Sequence, residues 1–315
     1  MSVKTIGIAG ITGKVGQLLA LCLREEAPSV NLRGLARDPS KVDFSSLPGI
    51  ELHQGDAFDA EKIRGFVKGL DVVVCCYLGD DHLMIEGQKL LIDIAEDEGV
   101  LRYIASDWSL DWTKLEMGEL FVKEACQRVH AYLGEKKSIR GVHILIGGFT
   151  DVVYAPFFKI WDQKTQTLNY WGTGEEPWEC TSYLNSAQYT AAVCLDPQAV
   201  GVLRFAGDVI SIKGMAKAIE NVYGITPNLQ RQGSLEELSA TMIKSRELYG
   251  ASLFKYIFYW YQYFMISGRA LMGPGYDNKR YPEVKAISTE DYMRRVPLDK
   301  LGAASISWES KYVPA

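Results

Sequence analysis

Hydrophobic and polar positions follow two different rhythms along the chain. Up to about residue 146, short apolar runs of strand type alternate with helical spacings: strands at about 4–9, 31–37, 50–56, 71–77, 99–108 and 141–146, and helices after the first strand and at about 84–98 and 118–133. The run Val72-Val73-Val74-Cys75-Cys76 is apolar without alternation, as a strand covered on both faces requires. Strand and helix in turn predict an α/β fold, a doubly wound parallel sheet with helices on both sides. From Asp151 the alternation lapses and aromatic residues crowd in. The expected organisation is therefore a sheet domain over 1–150, joined by a helix and a strand returning to it around 181–210. The rest of 151–315 is expected to form mainly a smaller substrate lobe, with a cleft between the two.

The first strand runs into Gly10, Gly13 and Gly16, spaced G-x-x-G-x-x-G, and then into an apolar helix. A strand, a glycine turn and a helix start together make a phosphate cradle of Rossmann type: the backbone comes close to a pyrophosphate, and free N–H groups and the positive helix end face it. Thr12, Lys14 and Val15 complete that turn as cofactor-binding candidates. Gly13-Lys14 is not a nucleotide-triphosphate loop, because Val15 stands where a magnesium-binding Ser or Thr is needed.

The tip of the second strand meets the adenosine ribose in such folds. Arg37 stands there with Lys41 nearby, a basic pair suited to a 2′-phosphate and hence to NADP(H); Asp38 keeps NAD open as the alternative. Asp56 ends the third strand beside the expected adenine, with a plain turn aspartate as the other reading. Tyr77 ends the fourth strand, and the loop after it, with His82, runs near the dinucleotide.

Composition narrows the partners. With 34 Lys and Arg against 39 Asp and Glu, the net charge of −5 gives no footprint for nucleic acid or an anionic membrane. Six scattered cysteines lack C-x-x-C spacing, so neither a metal site nor a disulfide framework is expected. The aromatic run Tyr256-Ile257-Phe258-Tyr259-Trp260-Tyr261-Gln262-Tyr263-Phe264-Met265-Ile266 is too short and too phenolic to span a bilayer. It reads as a buried helix, an aromatic wall for a flat substrate or a dimer patch. The first residues enter a strand directly, without the basic stretch, apolar region and cleavage site of a secretion signal, so a cytoplasmic protein is expected, as a monomer or a homodimer.

Ser106 and Asp107 leave the fifth strand where a nicotinamide would lie, although Ser-Asp also caps short helices. Lys123 sits on the following helix and can point back toward the cofactor ribose.

Taken in order, the glycine turn, Ala36-Arg37, Arg102-Tyr103-Ile104-Ala105-Ser106-Asp107 and Lys123 resemble the atypical short-chain dehydrogenase/reductases, and more narrowly their NmrA-like and isoflavone-reductase-like branch. Later segments, Tyr170-Trp171-Gly172-Thr173-Gly174, Thr181-Ser182-Tyr183 and the tail with Tyr281-Pro282-Glu283 and Ser288-Thr289-Glu290-Asp291-Tyr292, resemble its fungal natural-product members. The resemblance implies NADP(H) binding and a catalytic role for Lys123. It departs from the wider superfamily in one place: Glu119, not tyrosine, stands four residues before Lys123. Tyr132 and Lys136 match Tyr-x-x-x-Lys by letter, but Gly134, Ser138 and Gly141 break the helix immediately around them.

Three functions follow as expectations. The leading one is an NADPH-dependent reductase of a bulky, hydrophobic, aromatic small molecule in secondary metabolism, with Lys123 polarising an oxygen and Asp107 or a water giving the proton. The second is an isomerase or cyclase that keeps NADP(H) as a fixed element and uses Asp107 as general acid. The third is a non-catalytic NADP-sensing regulator.

Overall fold

The computed structural model describes residues 3–41 and 49–303; the end of the predicted second lobe, 304–315, lies outside the described residues. The first half runs β1 (Thr5–Ala9), α1 (Lys14–Glu26), β2 (Asn31–Ala36), β3 (Ile50–Gln54), α2 (Ala60–Val67), β4 (Val72–Cys75), α3 (Gln88–Asp97), β5 (Arg102–Ile104), α4 (Glu124–Gly134) and β6 (Arg140–Leu145). The second half continues with β7 (Gly148–Phe149), α5 (Thr150–Val153), β8 (Trp161–Asp162), β9 (Thr167–Trp171), β10 (Trp178–Thr181), α6 (Tyr183–Leu195) and β11 (Gly201–Arg204). It closes with β12 (Asp208–Ile210), α7 (Ile212–Tyr223), β13 (Asn228–Gly233), α8 (Leu235–Tyr249), α9 (Ile257–Ile266) and α10 (Thr289–Met293).

Seven strands form one parallel sheet in the order β11-β6-β5-β4-β1-β2-β3. The winding reverses between β1 and β4, so the glycine turn after β1 opens at the switch point, where ligands bind in such sheets. The period-2 geometry of strands sorts the apolar residues by face. Ile6, Ile8, Val72, Val74 and Ile104 pack with α1 and α6, whereas Val73, Cys75 and Tyr103 pack with α2, α3 and α4. This double coverage is why β4 is apolar at every position. The predicted return elements are α6 and β11, the latter pairing with β6.

Arg102 explains how α6 is fixed to the sheet. Its buried guanidinium donates to the carbonyls of Val193 (2.9 Å) and Cys194 (2.6 Å), satisfying the free acceptors at the C-terminal end of that helix.

Two helix starts differ from the pattern. The segment predicted from 84 begins as a π-helical turn, Leu83–Gly87, where the buried Gln88 amide donates to the Met84 carbonyl at 2.7 Å. The helix predicted from 118 begins at Glu124: Gly118 is left-handed at φ +88°, and a 3₁₀ turn, Phe121–Lys123, intervenes. Lys123 therefore stands at the N-cap of α4 instead of one or two turns inside it. Tyr132 and Lys136, near the end of α4, both bond Asp93, a position away from the strand ends.

Two small sheets, β12-β10-β7 and β13-β9-β8, carry the second half. Its core joins Trp161, Trp178, Trp260 and Phe264 to Trp112, Leu120 and Cys126 from the β5–α4 connection. Buried Glu179 on β10 ties the later chain down, accepting from Met272 N (2.7 Å), Gly273 N (2.8 Å) and the Tyr276 hydroxyl (2.7 Å). Glu119 forms an ion pair with Arg269, a second tie of the same kind.

Candidate active site

The glycine turn has the shape a pyrophosphate needs. Gly10 is left-handed (φ +79°), and a Cβ there would lie 2.7 Å from the Cys76 carbonyl oxygen at the end of β4. Gly16 is closed in a different way, since a Cβ would lie 2.9 Å from both Gly10 O and Ile11 Cα, so the helix can approach the strand only with glycine there. Gly13 is the N-cap of α1, no side chain caps it, and the first turn carries no acid. Gly13 and Lys14 are exposed and Thr12 and Val15 half-buried, with the Thr12 carbonyl held by Gln17 Nε2 at 2.6 Å. An uncapped helix end behind a glycine-rich turn fits the phosphates of a dinucleotide.

Arg37 and Lys41 are exposed just beyond β2. Asp38 is held by its own turn: its carboxylate accepts the Ser40 hydroxyl at 2.5 Å and the Ser40 N–H at 3.1 Å. These bonds, with Lys41 nearby, keep its carboxyl below the usual aspartate value. Asp56 likewise closes a turn, accepting Phe58 N–H at 3.0 Å. Tyr77 is buried against Gly10, its hydroxyl has no partner among the described residues, and burial, with Cys75 and Asp56 nearby, pushes that phenol up. His82 is exposed and stacked on Phe58 (centroids 4.6 Å apart).

The exit of β5 is more enclosed than the sequence suggests. Ser106 Oγ donates to the Tyr77 carbonyl at 2.6 Å and its N–H to Gln88 Oε1 at 3.2 Å, so it clamps the ends of β4 and β5 together. Asp107 Oδ2 lies 2.7 Å from His143 Nδ1, both side chains being 2% exposed. His143 packs in turn against Trp112 and His130.

Lys123 faces this pair from the start of α4 and is half-buried. Its Nζ lies 5.5 Å from the centroid of the Tyr261 ring on α9. Burial pulls the ammonium down, but the neighbouring Tyr261, Cys126 and Asp107 together carry it above the ordinary lysine value. The Cys126 thiol beside them is pushed up by burial and by Asp107. Lys123 is thus a fixed positive charge, and Cys126 is no thiolate nucleophile.

A second cluster lies against the glycine turn. Phe149 and Tyr183 stack at 3.9 Å, and Lys14 Nζ sits 5.6 Å from the Tyr183 ring centroid. Buried Asp151 accepts Tyr183 N–H at 2.8 Å. Desolvation raises its carboxyl to about 6, against the backbone hydrogen bonds and Lys14, which lower it.

The structure thus gathers Gly10, Thr12, Gly13, Lys14, Val15, Gly16 and Tyr77 at the switch point, with Ser106 bonded to the Tyr77 carbonyl. It pairs Asp107 with His143, sets Lys123 beside Tyr261 of α9 and leaves Arg37, Lys41 and Asp56 at the outer strand tips. Sequence reasoning passed over His143, Phe149, Asp151, Tyr183 and Tyr261 as site residues. His143 had a signal, a lone imidazole inside an apolar strand, whereas Tyr261 was one of four phenols in a single aromatic run.

Among the described residues no helix is long and apolar enough to cross a membrane, and no cluster of three metal-ligating side chains occurs. Residues 10–137 match the model of an NAD(P)H-binding family. No curated protein matches the chain in sequence. Solved structures match over nearly the whole length. An isoflavone reductase aligns with a TM-score of 0.74 at 18% identity, covering 93% of this chain and 99% of its own. A leucoanthocyanidin reductase from Vitis vinifera, in binary complex with NADPH, gives 0.73 at 18%, covering 92% and 98%. AtPrR2 with NADP+ and (+)-pinoresinol gives 0.74 at 17%, covering 93% and 98%. These likenesses establish a common fold, as the resemblance in the sequence implies.

Proposed function

We propose, from the premise that residues 10–137 are an NAD(P)H-binding domain set in the isoflavone-reductase fold, that this protein is an NADPH-dependent reductase of a hydrophobic aromatic small molecule. One observation carries the reading: Lys123, at the start of α4, lies against the aromatic helix α9, its Nζ 5.5 Å from the Tyr261 ring centroid, and is held in its charged form. A cation there stabilises negative charge that develops on a substrate oxygen, and in a site shielded from water that stabilisation is strong.

The turn from Gly10 to Gly16 would hold the pyrophosphate, and Arg37 with Lys41 the 2′-phosphate. Asp38 is already engaged by Ser40, which favours NADP(H) over NAD(H). When bound, the reduced nicotinamide supplies a hydride. The phenyl and indole rings of the second half offer a flat substrate a rigid apolar wall.

Two structures solved with NADPH or NADP+, one of them also with (+)-pinoresinol, share the fold and so support the reading. Its test is transfer of deuterium from C4-labelled NADPH to product across a panel of aromatic ketones, quinones and benzylic ethers. Label in a product supports it, and NADPH binding without transfer to any member of the panel contradicts it.

A further inference from the structure

Helix α9, Ile257–Ile266, has no charged residue of its own, yet cations from other elements lie over its rings. Lys123 Nζ stands 5.5 Å from the Tyr261 centroid, and the Arg246 guanidinium, from α8, lies 5.4 Å from the ring of the preceding residue, Trp260. Arg246 also lies 4.2 Å over Phe121, which shares the 3₁₀ turn Phe121–Lys123 with Lys123, and Phe121 and Trp260 meet edge to face at 5.1 Å. Neighbouring charges cancel in pairs, Arg269 with Glu119 and Arg128 with Glu124 at 3.5 Å. Arg246 is different. Among the described residues its guanidinium lies over the two rings but has no carboxylate within ion-pair reach and no acceptor for its N–H groups. Lying over a ring occupies the flat face of a guanidinium and leaves its fork of donors open in the plane, the geometry that takes both oxygens of a carboxylate.

We propose that Arg246 is a specificity-determining residue of the site and selects an aromatic substrate that bears a carboxylate. The proposal rests on the reductase reading and names its substrate class: a flat aromatic acid whose reducible oxygen meets Lys123 and whose carboxylate meets Arg246. The two cations divide the work. Half-buried Lys123 meets the charge that develops during reduction, whereas exposed Arg246 meets a charge the substrate already carries, and so acts on binding more than on turnover. An exposed guanidinium is screened by salt, so the selectivity fades as ionic strength rises.

The test is calorimetric titration of the whole protein, in excess NADP+, with 2-naphthoate and with its uncharged analogue 2-naphthamide. Wild type is expected to bind the naphthoate at least about tenfold tighter at low salt, and less selectively in about 0.5 M salt. Arg246→Met keeps an unbranched apolar chain against Phe121 and loses the fork. R246M is therefore expected to bring the two affinities within about twofold of each other while leaving the naphthamide within about twofold of wild type. Lys159→Met is the control, since Lys159 lies over Phe258 and Tyr259 instead, and it is expected to keep the preference. Equal binding of the two probes, no binding of either, or a preference that survives R246M or that K159M removes equally overturns the proposal. If wild type transfers label from NADPH to neutral members of the panel but binds both probes alike, this proposal falls and the reductase reading stands. If it prefers the naphthoate but reduces neither the panel nor any aromatic keto acid, the reading falls and Arg246 is left as a carboxylate-binding residue alone.

Discussion

His143 Nδ1 and Asp107 Oδ2 meet at 2.7 Å inside the protein, joining the exit of β5 to the middle of β6. That bond makes Asp107 an acceptor held by the core. Asp107→Asn keeps an acceptor oxygen there, whereas Asp107→Ala leaves a buried imidazole without a partner, at a cost of about 1–3 kcal/mol. Thermal unfolding is expected to rank wild type and D107N close together and D107A well below. Turnover retained in D107N excludes Asp107 as the proton donor, and loss of turnover with NADPH binding intact restores it to that role.

Asp151 makes stability depend on pH. Its carboxyl sits at about 6 in the fold, against an ordinary aspartate value of 3.8, so the folded state holds more protons than the unfolded state between those values. Stability contributed by this group is therefore present at low pH and lost as pH rises from about 4 to about 6, with no further change above. Its upper bound is about 3 kcal/mol, from roughly 1.4 kcal/mol per pH unit. Asp151→Asn, which keeps the acceptor for Tyr183 N–H, should flatten that part of the urea-unfolding profile. A variant with the same slope as wild type argues that Asp151 does not titrate there.

Arg37 is exposed and free of the turn that engages Asp38, so removing it should touch only the cofactor. Arg37→Ala is expected to weaken NADPH about 10–100-fold, the range for one charge-assisted contact to a phosphate, and to leave NADH within about twofold. Fluorescence titration of both cofactors reads the ratio. Equal loss for both would place Arg37 elsewhere than at the 2′-phosphate.

Gly10→Ala combines a left-handed backbone with a Cβ 2.7 Å from a main-chain oxygen. About 2–4 kcal/mol of stability should be lost, since neither the turn nor β4 can give way cheaply. Thermal melting with and without NADPH should show a lowered midpoint and no rise on adding cofactor. A G10A protein with wild-type NADPH affinity would remove the pyrophosphate from this turn.

The sheet was legible because its signals are local. The unbroken apolar run of β4, the glycine spacing after β1 and the basic tip of β2 each lie within a few residues, and their physical causes act at that range. The start of α4 was misplaced because Gly118 takes a left-handed conformation, and a 3₁₀ turn fits the same letters as a helix. The site's second half was hidden for a different reason. Tyr261 reaches Lys123 only because α9 packs against the β5–α4 connection, where Trp260 meets Phe121, and the pairing of His143 with Asp107 depends on β5 and β6 lying side by side. Contacts across 36 positions or more leave no periodic trace in the sequence. The position of Glu119 also became intelligible only in three dimensions, through its ion pair with Arg269.

Calorimetric titration of the purified protein with NADPH and, separately, NADH tests the central claim most directly. The account predicts one saturable site for NADPH per chain, with NADH at least tenfold weaker. No heat and no saturation with NADPH, at protein concentrations of tens of micromolar, would contradict it and leave the sheet, its glycine turn and Lys123 without the ligand that gives them a purpose.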